Sequence, residues 1–136
     1  MKIEWLSNQS NSGVITVYEN NITLNKQATD CLKDAFCVVV GINRDTNELV
    51  IKSLTKEEVD QQDVSKDSIR KLSIKKSYSR ITGKTMIDEI ARTLGFDFMQ
   101  SPAYKMSAKW NNRYKMLIAS REIRSDEQWV VYLKCF

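Results

Sequence analysis

The sequence predicts a β-rich α+β fold built from two related β-α-β-β halves. Three observations carry that expectation. Phe36–Val40 is a continuous apolar, mostly β-branched run, the composition of a strand buried on both faces. Within Ile69–Gly95 the apolar period changes from alternation to a helical stripe. The order strand, short helix, strand, turn, strand also occurs twice. It runs NNITLNKQATDCLKD, FCVVVGI, NRDTN, ELVIKSL and again SRITGKTMIDEIARTLG, YKMSAKW, NNR, YKMLIAS. Each helix is entered from an Ile-Thr pair, Ile22-Thr23 and Ile81-Thr82. Neither half has the apolar content for a core of its own, so the two are expected to share one.

Taken in order, residues 1–13 read as a polar loop after Ile3, Trp5 and Leu6. Val14–Tyr18 and Ile22–Leu24 alternate as strands, and Glu19-Asn20-Asn21 supplies the turn of a hairpin. A short helix is predicted over Lys26–Lys33, with Asn25 as N-cap and Ala28 and Leu32 facing inward. After Phe36–Val40, Asn43–Asn47 is a loop and Glu48–Leu54 pairs back. Residues 55–67 are acidic and polar, reading as a one-turn helix and then a linker. They close an N-terminal half at 1–67, and residues 68–136 form the second half.

In that second half, Ile69, Leu72, Ile74, Tyr78 and Ile81 predict extended chain with these side chains turned inward. Met86, Ile87, Ile90, Ala91 and Leu94 form one helical stripe, ended by Gly95. Thr85 and Asp88 are spaced as a capping box. Pro102 bars a helix through Phe96–Pro102. Tyr104–Trp110 and Tyr114–Ser120 then form a hairpin across Asn111-Asn112-Arg113. Tyr104, Met106, Ala108 and Trp110 take the apolar face, and Lys105 and Lys109 the opposite one. Arg121–Gln128 is charged, and Trp129–Phe136 predicts a last strand.

Charge divides the chain. Residues 1–68 hold 7 Lys/Arg against 11 Asp/Glu, net −4, whereas residues 69–136 hold 14 against 6, net +8. This split points to a polyanionic partner for the second half, or to halves of neighbouring subunits attracting one another. The cations concentrate at Arg70, Lys71, Lys75, Lys76, Arg80 and Lys84, with no acidic residue until Asp88, and again at Lys105, Lys109 and Arg113. At the junction with the helix they could converge with its terminal amides on an anion. Lysines in such a strand also serve to keep an exposed edge from aggregating.

Other chemistries are disfavoured. The chain has no histidine, which removes the commonest general base and every Ser-His or Cys-His pair, so no enzymatic activity is expected. Cys31, Cys37 and Cys135 form no CxxC pair and read as free thiols, and neither metal nor cofactor is expected. No apolar run approaches the roughly 20 residues of a membrane span, and the N-terminus lacks the apolar core of a signal peptide. A cytoplasmic protein without a membrane partner is the expectation. Gly83-Lys84-Thr85 is not a phosphate loop, because Tyr78 stands where the loop needs a further glycine. Ile87–Phe96 resembles the first helix of a helix-turn-helix, but Pro102 falls within the segment needed for recognition.

Val14–Leu54 follows the strand, turn-strand, short helix and hairpin of the AbrB and MraZ family of DNA-binding regulators, and Tyr78–Ser120 repeats the order. The chain thus resembles that family, with a tandem pair of units as in MraZ. Asn20-Asn21 occupies the place of the family's Gly-Arg turn in the first half. Asn25 replaces its proline, Gly83 stands at the corresponding place in the second half, and Arg80 alone keeps the arginine. The resemblance implies a swapped-hairpin-barrel fold whose hairpins are completed by a neighbouring subunit, hence a homo-oligomer. It also implies DNA as partner, with Lys75, Lys76, Arg80 and Lys84 facing phosphates. The alternative is a non-enzymatic protein-interaction or oligomerisation module.

Overall fold

The computed structural model describes residues 13–61 and 68–121. The predicted strand Trp129–Phe136, Cys135, the loop at residues 1–12 and most of the predicted linker fall outside that range. Twelve elements follow in order: β1 (Gly13–Tyr18), β2 (Asn21–Leu24), α1 (Lys26–Leu32), β3 (Cys37–Asn43), β4 (Glu48–Leu54) and α2 (Lys56–Asp60). The second half supplies β5 (Ile69–Arg70), β6 (Ser73–Ile74), β7 (Ser79–Thr82), α3 (Lys84–Leu94), β8 (Ala103–Asn111) and β9 (Met116–Arg121).

Among the described residues, all nine strands join one antiparallel sheet in the order β5-β3-β4-β9-β8-β1-β2-β7-β6. The fold is β-rich, and its sheet curls into a half-barrel. Its two edges, β5 and β6, are consecutive in the chain, separated only by Lys71 and Leu72. The two predicted halves interlock rather than stack. β2 pairs with β7 through Ile22↔Ile81, and β4 pairs with β9 through Ile51↔Leu117.

The core is the inward side of this curl. Ile15, Val17, Ile22, Leu24, Leu49, Ile51, Ile81, Met106 and Leu117 meet Ala28 and Leu32 of α1 and Met86, Ile87 and Ile90 of α3. Full burial of each Ile or Leu contributes about 1.5–3 kcal/mol. Alternation along β1 (Ile15 and Val17 in, Thr16 and Tyr18 out) sets the register, since a one-residue slip would put that apolar set in water. Both longer helices lie on the core side. Among the described residues, much of the outer face of β8, β1, β2 and β7 therefore remains at the surface.

Local chemistry explains how α1 is held. Asn25 Oδ1 accepts from Ala28 N–H, capping the helix, and from Val14 N–H, both at 3.0 Å. Asn25 N–H donates back to the Val14 carbonyl at 3.0 Å. Gly13 sits hard against α1: a Cβ there would lie 2.6 Å from Ala28 Cβ and 2.9 Å from Ala28 N. Deeper in, the Thr29 hydroxyl donates to the Leu24 carbonyl at 3.2 Å and meets Ser79 Oγ at 2.8 Å. That buried pair ties α1 of the first half to β7 of the second. α3 ends as its sequence predicts, at Gly95 with φ 74°, where Phe96 N–H returns to the Ala91 carbonyl at 2.9 Å.

The β3–β4 and β8–β9 turns share one geometry. Asn43 and Asn111 each accept backbone N–H groups two residues on, and Asn47 and Lys115 take left-handed φ values of 56° and 55°. Asn43 pairs with Glu48, and Asn111 with Met116.

Four expectations need correction. The run Phe36–Val40 is not buried on both faces: Cys37 and Val38 are buried, but Phe36 is 57% exposed and Val39 and Val40 are half-buried. β3 lies one strand from the sheet edge, covered there only by the two-residue β5, so one face stays partly open. Ile69–Ile81 is not one extended piece with its apolar residues inward. It breaks into β5, β6 and β7, Ile74 is 47% exposed, and Tyr78 faces outward beside Arg80. The turn before β7, closed by Lys75 N–H to the Tyr78 carbonyl at 2.8 Å, resets the alternation. Thr85 and Asp88 form no capping box, because α3 starts from Gly83 with no side-chain cap; the box lies at Thr55 and Glu58, opening α2. Tyr114 belongs to the turn, since Lys115 in left-handed backbone delays β9 to Met116.

Candidate nucleic-acid interface

Strand register assembles a row across the outer face. Lys105 of β8 pairs with Thr16 of β1, Thr16 with Thr23 of β2, Thr23 with Arg80 of β7, and Arg80 with Ser73 of β6. Thr16, Thr23 and Arg80 alternate with buried residues on both sides of them, Lys105 lies between half-buried Tyr104 and buried Met106, and Ser73 lies on the exposed edge strand β6. With strands about 4.8 Å apart, Lys105 and Arg80 stand roughly 14 Å from each other across this row. Lys109 shares the outward side of β8, about 13 Å along it from Lys105. Lys75 and Lys76 are exposed in the turn that leads into Arg80.

These residues form a surface of one sign. Among the described residues, ion pairs occur only at Arg44–Glu89, Lys84–Asp88 and Arg92–Glu89. Lys75, Lys76, Arg80, Lys105 and Lys109 take no part in them. The Arg80 guanidinium lies over the Tyr78 ring, 5.7 Å from its centroid, which fixes the direction of the charge.

The remaining candidates are elsewhere. Arg70 turns toward the start of α3, its Nη1 3.2 Å from the point a Cβ would occupy on Gly83. It lines a cleft with Arg44, Met86 and Glu89 between α3 and β3. Lys71 is exposed in the link between β5 and β6. Lys84 is exposed and sits 4.0 Å from Asp88 one helical turn on. Arg113 is at the tip of the β8–β9 hairpin, 5.3 Å above the ring of Tyr114. The predicted convergence on the α3 N-terminus thus reduces to Arg70 and Lys84, while Arg80 points across the sheet.

Sequence reasoning passed over part of this surface. Tyr18, Glu19, Asn20, Asn21, Thr23, Tyr78, Arg80 and Pro102 line one concavity of about 500 Å³ beside the row. The available signal was parity: Tyr18 follows Thr16 on the outward side of β1, and Tyr78 shares a side with Arg80.

On the core side, Glu89 fastens the β3–β4 turn to α3. It accepts from Arg44 at 2.6 Å and from Arg92, and Arg44 also donates to Thr93 Oγ1 at 3.0 Å. The bonds from Arg44, then Arg92, hold the Glu89 carboxyl below its ordinary range. Burial is the main reason the Cys31 and Cys37 thiols are raised above theirs, with Asp30 and Glu58 adding to it. Such thiols are poor nucleophiles. Compared with protein-family models, curated proteins and solved structures, the chain finds no match.

Proposed function

We propose that the chain is a nucleic-acid-binding, regulator-like protein of swapped-hairpin-barrel type, akin to the AbrB and MraZ DNA-binding regulators, gripping DNA phosphates with the outer face of its sheet. The observation that carries the reading is the register row Lys105–Thr16–Thr23–Arg80–Ser73, extended by Lys75, Lys76 and Lys109. It supplies cations and hydroxyls with no carboxylate at any of its positions, the mix that positions a phosphate backbone. The architectural part is supported by the pairing of β2 with β7 and β4 with β9, and by the matched hairpin turns. In this reading the two halves interlock within one chain, and the homo-oligomer forms between such half-barrels.

The test is binding to mixed-sequence duplex DNA at about 50 and 200 mM salt. Each phosphate contact costs about 3.5-fold in affinity over that range, so five cations give about a 500-fold loss. The Lys75→Ala, Lys76→Ala, Arg80→Ala triple variant retains two contacts and loses only about 12-fold. Absence of binding at the lower salt refutes the reading.

A further inference from the structure

We propose that the concavity beside Arg80 receives two unpaired nucleotides of a DNA strand, their bases on Tyr18 and Tyr78 and the intervening phosphate on Arg80. This deepens the nucleic-acid reading above and rests on it. Tyr18 stands opposite Asn21 at one end of β2, by continuation of the β1–β2 register. Tyr78 stands at the other end, one residue before β7. The two are separated by two strand spacings and four residues of strand, about 10 Å across and about 13 Å along. Thr23 and Arg80 form the floor between them, and Pro102 walls the Tyr18 side. Two aromatic platforms with a cation between them match a splayed strand, whose bases stack while its backbone crosses the charge. A paired duplex cannot offer base faces to both rings.

Charge favours a polynucleotide over an apolar peptide as occupant. Arg80 lines the groove, Lys75 and Lys76 lie in the turn before Tyr78, and Lys105 lies in the same register row; Glu19 is the groove's one lining carboxylate, set at the β1–β2 turn where it can accept from an exocyclic base amine. Tyr18 is 40% exposed, so its ring has a face to give. Thr23 donates its hydroxyl proton to Asn21 Oδ1 at 3.0 Å, which holds that side chain in place in the floor.

The experiment measures affinity for a mixed-sequence single DNA strand, the same sequence as RNA, and the duplex, at one fixed salt. The proteins are the native chain, Tyr18→Ala, Tyr78→Ala, and the ring-preserving Tyr18→Phe and Tyr78→Phe. The single DNA strand is expected to bind tighter than duplex or RNA. Tyr18→Ala weakens that strand about 10-fold, the effect of one lost stack, and leaves duplex affinity unchanged; Tyr78→Ala, which also frees Arg80, weakens the strand by more than it weakens the duplex, and each phenylalanine restores the strand affinity. Equal binding of strand and duplex, with the alanines silent, overturns the groove while leaving the cationic interface standing. Tighter binding of RNA overturns the assignment to DNA. No binding of any form overturns both the groove and the function it rests on. Alanine variants that lose strand and duplex alike mark the tyrosines as fold-bearing and likewise overturn the groove.

Discussion

Replacing Gly13 by alanine puts a methyl group where none fits. The new carbon would lie 2.6 Å from Ala28 Cβ, 2.9 Å from Ala28 Cα and 2.9 Å from Ala28 N. Two of these three atoms are backbone, so no rotamer change relieves the contact; ordinary separation needs β1 and α1 to part by about 1 Å. They are held where they meet. Asn25 bonds Val14 by both its side chain and its backbone N–H, at 3.0 Å each. Parting the two elements stretches both bonds and the α1 cap together. Overpacking costs about 1–3 kcal/mol, and a backbone-limited site belongs at the upper end. About 3 kcal/mol is expected, a large share of the roughly 5–15 kcal/mol that stabilises a domain. Urea unfolding followed by circular dichroism measures it, as a lowered midpoint at unchanged slope. A loss under about 0.5 kcal/mol would show that α1 is not pressed onto β1, and the reasoning fails.

Two further expectations concern the same framework. Asn25→Ala removes a helix cap, about 1 kcal/mol, and strips Val14 N–H of its acceptor for about 1–2 kcal/mol more, while Asn25→Asp keeps both bonds. Urea melts in which the aspartate is no better than the alanine would refute the double role. Glu89 is a pH-dependent tie. Its folded value is lowered by Arg44 and Arg92, so its contribution is present above the unfolded glutamate value and disappears as pH falls through the lowered one. The melting temperature of the native chain should exceed that of Glu89→Gln at neutral pH and meet it in strong acid, and a pH-independent gap contradicts this.

What the sequence made legible is what local chemistry decides. The β1–β2 hairpin followed from alternation around Glu19-Asn20-Asn21. Asn25 at the head of α1 followed from the capping preference, and Gly95 at the tail of α3 from its tolerance of left-handed backbone. The division of β8 into an apolar and a lysine face followed from period two. What stayed hidden depends on partners distant in the chain. Phe36 is exposed because β5, thirty residues on, covers only Val38 and Val39 of β3. The basic stretch breaks after Arg70 because one side of it pairs with β3 and the other with β7, a choice no local pattern encodes. For the same reason Arg70 and Arg80, alike in sequence, end in different surroundings. The row from Lys105 to Arg80 exists only once four strands from both halves are in register.

The interlocked pairing also bears on the birth of the protein. When Leu54 is added to the growing chain, β2 and β4 have been polymerised but their partners β7 and β9 have not. At about 5–20 residues per second, roughly 3–13 s pass before residue 121 is added. Through that interval two apolar strands present open hydrogen-bonding edges, a template for pairing with any nearby nascent chain. Closing the sheet then needs these long-range pairings, and residues 69–74 run between both of its margins. A chain halted near residue 68 is therefore a different substance from half a protein: it is client material for chaperones.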